Sequence, residues 1–213
     1  STRVYISWRF LSTDTENTSF NIYRDGQKIN SDPITRSTCY IDENGSPTAV
    51  YTITTEVDGS TTQSVDIPEV WDNFYKKINL SRPPAGKTPS GGYYSYTPND
   101  CSVGDVDGDG QYELFVKWDP TNSQDNSKTG YTGHVYIDCY KLDGTLLWRV
   151  DLGCNIRAGA HYTQFMVYDL DGDGKAEMAC KTAPGTIDGK GNPVLMGSDK
   201  VTDDYRNSDG III

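Results

Sequence analysis

Asp105-Val-Asp107-Gly-Asp109-Gly-Gln111-Tyr-Glu113 and Asp169-Leu-Asp171-Gly-Asp173-Gly-Lys175-Ala-Glu177 are two copies of one acidic nine-residue stretch, 64 positions apart. In each, carboxylates at positions 1, 3, 5 and 9 converge on one point if the glycines let the backbone curl tightly. A hard cation is the natural occupant. Calcium takes about six to eight oxygens from carboxylates, main-chain carbonyls and water in a flexible geometry. Three Asp, a Glu and the carbonyl of Gln111 or Lys175 nearly complete such a shell, so at least two structural calcium sites are predicted. An EF-hand needs a bidentate Glu at position 12, where this chain has Val116 and Cys180. Magnesium suits the loop less well, because it demands near-octahedral geometry and keeps its waters. Leu114-Phe-Val-Lys-Trp118 and Met178-Ala-Cys-Lys-Thr182 follow the loops. Both are short apolar runs with β-branched or aromatic members, so each loop is expected to lead into a strand.

The 213 residues carry 19 basic and 30 acidic side chains, a net charge of −11. That balance argues against nucleic acid and anionic membranes as partners. No stretch approaches the ~18 to 20 apolar residues of a membrane span, and no signal peptide is visible. Calcium loops this simple suit the millimolar calcium outside cells, so a secreted, extracellular protein is expected, with Ser1 the start of a processed or trimmed chain. Cys39, Cys101, Cys139, Cys154 and Cys180 form an odd set without a CxxC. They read as buried apolar thiols with at least one left free. His134 and His161 read as core or hydrogen-bonding residues.

Working outward, residues 1–70 read as a small all-β unit of fibronectin-III-like type. Val4-Tyr-Ile-Ser-Trp-Arg-Phe10 and Ser19-Phe-Asn-Ile-Tyr-Arg24 alternate at period two, Asp25-Gly26 supplies a hairpin turn, and Ala49–Val57 ends at Asp58-Gly59. Arg82-Pro-Pro-Ala-Gly-Lys-Thr-Pro-Ser-Gly-Gly92 breaks the pattern, and 71–92 reads as a Pro/Gly-rich linker. From 93 to 213 the predicted strands are short. A 64-residue repeat of short strands is the signature of a β-propeller with insertions. Helical periodicity is absent. Two repeats fall short of the ~4 to 8 blades a ring needs, and Ile211-Ile-Ile213 reads as the start of an unpaired strand. The chain is therefore expected to be the N-terminal part of a longer protein, or to be completed by other chains.

Alignment of the two copies exposes differences. Lys117 matches Lys181 and Pro120 matches Pro184, but Trp118-Asp119 faces Thr182-Ala183, and Asn99-Asp100 faces Thr163-Gln164. A purely structural repeat has no need of extra polar residues in one copy. Asn99, Asp100 and Asp119 are thus candidates for something beyond blade closure, with turn formation as the plainer alternative.

Longer strings carry a more specific signal. Tyr112-Glu-Leu-Phe-Val-Lys-Trp-Asp-Pro120, Gly130-Tyr-Thr-Gly133, Ile156-Arg-Ala-Gly-Ala-His-Tyr-Thr-Gln-Phe165 and Val167-Tyr-Asp-Leu-Asp-Gly-Asp-Gly-Lys175 closely resemble bacterial rhamnogalacturonan lyases of polysaccharide lyase family 11. So does Val4–Phe10 with Asn21-Ile-Tyr-Arg-Asp-Gly-Gln27. The resemblance implies an eight-bladed, calcium-stabilised propeller behind a small β domain. It further implies secretion and cleavage of the rhamnogalacturonan I backbone of pectin by β-elimination at galacturonate. It implies structural calcium ligands at Asp105, Asp107, Asp109, Gln111 and Glu113 and at Asp169, Asp171, Asp173, Lys175 and Glu177, with Asp100 an added ligand beside the first loop. Asn99 and Asp119 match positions that contact substrate. The family's catalytic residues match nothing up to Ile213, so no catalytic residue is assigned, and Lys117, Lys181 and Arg157 read as structural or surface residues. The 213 residues alone are expected to lack lyase activity. The alternative is a non-enzymatic, calcium-stiffened extracellular module that binds glycan or protein.

Overall fold

The computed structural model describes residues 2–67, 69–125, 127–159 and 162–211. It is all-β, with no helix among the described residues, and it divides into two compact units, 1–77 and 78–213.

The first unit holds β1 (Thr2–Ser7), β2 (Thr18–Arg24), β3 (Gln27–Lys28), β4 (Cys39–Gly45), β5 (Tyr51–Val57) and β6 (Ser60–Ile67). They form an antiparallel β1-β4 pair and a four-stranded antiparallel sheet in the order β3-β2-β5-β6. Asp25-Gly26 and Asp58-Gly59 make tight hairpin turns, with φ of 49° and 79° at the first and 50° and 79° at the second. Two successive left-handed residues match the twist of the flanking strands, which is why Asp-Gly closes such hairpins. Val4, Ile6, Phe20, Ile22, Ala49, Tyr51 and Ile53 form one buried cluster. β4 escaped the sequence reading because Cys39-Tyr-Ile-Asp-Glu-Asn-Gly45 carries too few apolar residues to alternate. Trp8 lies just past β1 and packs on Phe20, ring centroids 5.3 Å apart.

The second unit holds β7 (Gly86–Lys87), β8 (Tyr93–Tyr94), β9 (Tyr96–Gly104), β10 (Glu113–Pro120), β11 (Tyr136–Tyr140), β12 (Leu146–Asp151), β13 (Phe165–Tyr168) and β14 (Glu177–Cys180). Strands β12-β11-β10-β9 make a four-stranded antiparallel sheet, and β13-β14 make a separate hairpin. The hairpin packs against β9 through Gly104. A methyl group there would stand 2.6 Å from Ala176 Cβ and 2.7 Å from Val167 Cγ1, so only glycine lets the backbones come so close.

The Pro/Gly-rich stretch 82–92 lies within the second unit, where Gly86-Lys87 pairs with Tyr93-Tyr94. Ser81 is tied in just before it. Its N–H donates to Tyr140 Oη at 3.1 Å, and its carbonyl accepts from Arg149. Behind Arg149 lies the fully buried Asp138, which accepts from Trp118 Nε1 at 2.7 Å, Tyr140 Oη at 2.6 Å and Arg149 Nε at 2.7 Å. A buried carboxylate is tolerated because its oxygens are answered by charge-assisted or hydroxyl donors.

One expectation is corrected here. The five cysteines are all free, but of these only Cys139 is buried; Cys101 is exposed and the other three are half-buried. Burial pushes the Cys139 thiol up to about 12, which leaves it unreactive. Arg157, read as a structural or surface residue, is structural. It is buried and donates to four main-chain carbonyls, those of Gly130, Gly210, Asp125 and Lys128. His161 and the last two residues of Ile211-Ile-Ile213 lie outside the described residues.

Candidate metal centres and a buried polar cluster

Each acidic stretch joins two paired strands, β9 to β10 in one case and β13 to β14 in the other. Position 1 organises the loop. Asp105 Oδ1 accepts from Gly108 N at 2.7 Å and Asp109 N at 3.2 Å, and its Oδ2 accepts from Gly110 N at 2.8 Å. Asp169 repeats this with Gly172, Asp173 and Gly174 at 2.7, 3.1 and 3.0 Å. The glycines at positions 4 and 6 have φ of 78° and 85° in the first loop and 80° and 89° in the second. That conformation is disfavoured for residues bearing a Cβ. The Glu at position 9 reaches back to the amide at position 2, Glu113 to Val106 at 2.9 Å and Glu177 to Leu170 at 2.8 Å.

The result brings carboxylate oxygens of Asp105, Asp107 and Glu113 within 4.8 Å of one another, and likewise those of Asp169, Asp171 and Glu177. Oxygens on opposite sides of a calcium ion stand about 5 Å apart, twice a bond length of about 2.3–2.6 Å. The donor set and its spacing therefore fit a hard cation. Asp109 and Asp173 stand outside these trios, each holding the amide two residues on, Gln111 at 2.8 Å and Lys175 at 2.9 Å.

The surroundings of the two loops differ. Lys141, on the β11–β12 turn, places its Nζ 2.9 Å from Asp107 Oδ2 and 4.0 Å from Asp109 Oδ2. That ammonium holds the Asp107 carboxyl below its ordinary value. No ion pair reaches Asp169, Asp171, Asp173 or Glu177 among the described residues. The loops also touch. Asp105 O accepts from Ala176 N at 2.6 Å, and a Cβ at Gly108 would meet Lys175 Cε at 3.3 Å.

Asn99, Asp100 and Asp119 gather around Lys117, away from the acidic trio. Val116 pairs with Cys101 and Trp118 with Pro98, so Asn99 and Asp100 together oppose the single residue Lys117 in a β-bulge. The Lys117 side chain is only 1% exposed, and its Nζ lies 2.6 Å from Asp100 Oδ2. For Asp100 to serve the first loop as a metal ligand, its carboxylate would have to leave this partner. Asn99 is exposed, and its side chain caps the Asp100 amide at 2.8 Å. Asp119 is 8% exposed, and its Oδ1 is buried without a hydrogen-bond partner. Burial raises its carboxyl above the ordinary range, against the pull of Lys117. An orphaned buried carboxylate oxygen is costly. Residues of this kind persist where a ligand supplies the missing donor. The contribution of Lys117 escaped the sequence reading, because a lysine matched in both repeats looked like part of the repeat.

Two family models match. Residues 75–213 fit the C-terminal domain of rhamnogalacturonan lyase family 11, and residues 1–71 fit the β-sheet domain of rhamnogalacturonan I lyases. The chain is 56% identical over 210 residues to rhamnogalacturonan endolyase YesW of Bacillus subtilis strain 168, covering 99% of this chain and 33% of that protein. It is 54% identical to rhamnogalacturonan exolyase YesX of the same strain, with 99% and 34% covered. The crystal structure of the exotype rhamnogalacturonan lyase YesX superposes with a TM-score of 0.88 at 53% identity, covering 98% of this chain and 34% of that one. The chain thus spans about a third of the length of the curated relatives it matches.

Proposed function

The chain belongs to rhamnogalacturonan lyase family 11, and from that premise we propose that its protein is a secreted lyase cleaving the rhamnogalacturonan I backbone of pectin by β-elimination at galacturonate. In this reading β9–β12 is the first blade of an eight-bladed propeller, β13–β14 begins the second, and residues 1–70 are a fibronectin-III-like domain. The base that takes the C5 proton lies outside the 213 residues. Calcium held by Asp105, Asp107, Asp109, Glu113 and the Gln111 carbonyl, and by the matching set from Asp169 to Glu177, would brace each strand connection.

The part given to this chain is substrate positioning. The observation that carries it is the orphaned Asp119 Oδ1, which fits a sugar hydroxyl as its missing donor. Asn99 offers an amide from the facing strand, and Lys117 keeps negative charge from accumulating between Asp100 and Asp119. Hydrogen bonds to a charged group are worth about 1.5–3 kcal/mol, so losing one costs roughly tenfold or more in affinity. The test is release of unsaturated uronate, read by its absorbance, from pectic rhamnogalacturonan with the full-length protein. Asp119→Ala and Asn99→Ala should each raise KM roughly tenfold with a smaller change in kcat. Absence of unsaturated product from the unaltered protein would turn the reading toward a non-enzymatic glycan-binding module. An unchanged KM in both variants would remove Asn99 and Asp119 from the substrate.

A further inference from the structure

At the end of the β9–β12 sheet remote from the acidic loop, Lys87, Thr88, Tyr94, Thr132, His134 and Arg206 line an open cavity of about 280 Å³. Tyr94 and His134 sit two residues before the strand-pairing positions Tyr96 and Tyr136, whereas the acidic loop leaves from Gly104. The volume is just below the range of about 300–1,000 Å³ typical of ligand clefts, suited to one sugar ring.

Its aromatic wall is built at the expense of two side chains. A Cβ at Gly133 would stand 2.5 Å from Tyr94 Cε2, and one at Gly86 2.6 Å from Tyr94 Cζ. Neither glycine has a positive φ. Space for the Tyr94 ring, not backbone conformation, is what both positions require.

The polar groups facing the cavity are mainly donors. Arg206 commits Nε and Nη2 to Asp204 at 2.8 and 2.7 Å, and its guanidinium lies 5.2 Å from the Tyr131 ring centre. That leaves Nη1. His134 donates Nδ1–H to Asp151 at 3.0 and 3.1 Å, which leaves Nε2 as the cavity's acceptor in the neutral ring. Thr132 Oγ1 accepts from Ala158 N at 3.1 Å, so its own hydrogen is available. Lys87 stands with its Nζ 4.4 Å over the Tyr93 ring and makes no ion pair among the described residues. Of the nearby carboxylates, Asp204 is ion-paired with Arg206, and Asp151 accepts from His134 Nδ1 and from Gly153 N. Lys87 thus keeps its ammonium free of any carboxylate partner among the described residues, in a chain whose net charge is −11.

We propose that this cavity is a subsite for the carboxylate of a uronic-acid residue in an acidic polysaccharide, with Lys87 and Arg206 on the carboxylate and Tyr94 under the ring. The proposal rests on the pectic-substrate reading above. Directed donors suit an acceptor-rich anion, and a tyrosine face suits the C–H side of a pyranose.

The test is a titration of isotope-labelled protein with sodium galacturonate, followed by amide chemical shifts, beside parallel titrations with galactose and inorganic sulfate. Galacturonate should move the amides of Thr88, Thr132, His134 and Arg206, and galactose should not. Lys87→Gln, at an exposed position, should weaken the response at least about fivefold, and Lys87→Arg should restore most of it. No shift at these amides, or no effect of Lys87→Gln, overturns the proposal. An equal response to galactose or to sulfate overturns it as well, by making the cavity a neutral-sugar or a general oxoanion site. The assay for unsaturated uronate is separate. Its failure beside a successful titration would remove the reaction and leave the subsite, and the reverse result would remove the subsite alone.

Discussion

The β9–β10 and β13–β14 connections use nearly the same nine residues and fold into nearly the same loop, yet the strands they join have different fates. Hydrogen bonds within the loops agree to within 0.2 Å. β10 runs eight residues, all but one of them buried, between β9 and β11. β14 runs four residues, none of them fully buried, and among the described residues pairs with β13 alone. Glu113 is accordingly 2% exposed, while Glu177 is half-buried. A short acidic loop closes on its own amides whatever surrounds it. Burial, bulges and ion pairs come from the sheet around it.

The sharpest way to break the comparison is in the packing. Phe115→Ala, at a fully buried ring packed on Trp148, should cost about 3–5 kcal/mol in denaturant unfolding. Met166→Ala on the second hairpin, 53% exposed, should stay within about 0.5 kcal/mol. Similar costs would mean that the two hairpins are equally buried in solution.

Metal binding tests what the loops share. Calcium at a hundred times its dissociation constant should add about 2.7 kcal/mol per occupied site. At about 2–4 °C per kcal/mol for a chain of this size, Tm should rise by roughly 5–11 °C for one site and fall back with chelator. Asp105→Asn and Asp169→Asn should each remove one site's share. A Tm indifferent to calcium would end the metal reading.

Asp119 tests what one copy has and the other, with Ala183, lacks. A carboxyl raised by burial is neutral in both folded and unfolded chains at low pH, and its penalty on the folded state grows as pH rises through the unfolded value and is complete above the folded one. Asp119→Asn should therefore stabilise the protein at pH 7, with the gain shrinking to nothing as pH falls below about 4. A loss of stability at neutral pH would show that the buried carboxylate is satisfied.

The smallest effect concerns Lys141, whose ammonium competes with a cation for Asp107. Lys141→Met should tighten calcium binding at the first loop by roughly a few-fold and leave the second unchanged. Calorimetric titration of Asp169→Asn protein with and without Lys141→Met reads this directly. No difference would mean the lysine swings aside at no cost.

What could be read in the chain followed from local interactions. The Asp-Gly hairpin turns, the acidic loops and the strands beside them depend on φ preferences and on side chains bonding amides at most seven residues away. Period two marked β1 and β2 and the Asp58-Gly59 turn marked β5, whereas β4 was hidden by its polar residues. The stretch 82–92 looked like a linker because prolines and glycines carry no periodicity. Its place in the second unit depends on Ser81 meeting Tyr140 and Arg149, 59 and 68 residues away.

The sequence by itself determined the all-β class, the twin loops and, through long matching strings, the family. It also singled out Asn99, Asp100 and Asp119 by their absence from the second repeat. Only the tertiary structure decided that Lys117 is buried between them, that Asp119 Oδ1 lacks a donor, and that Gly86 and Gly133 make room for Tyr94. Loop closure is a property of neighbours along the chain and shows in the order of residues. A buried charge or a cavity wall is a property of neighbours in space, and pairing between distant strands creates those.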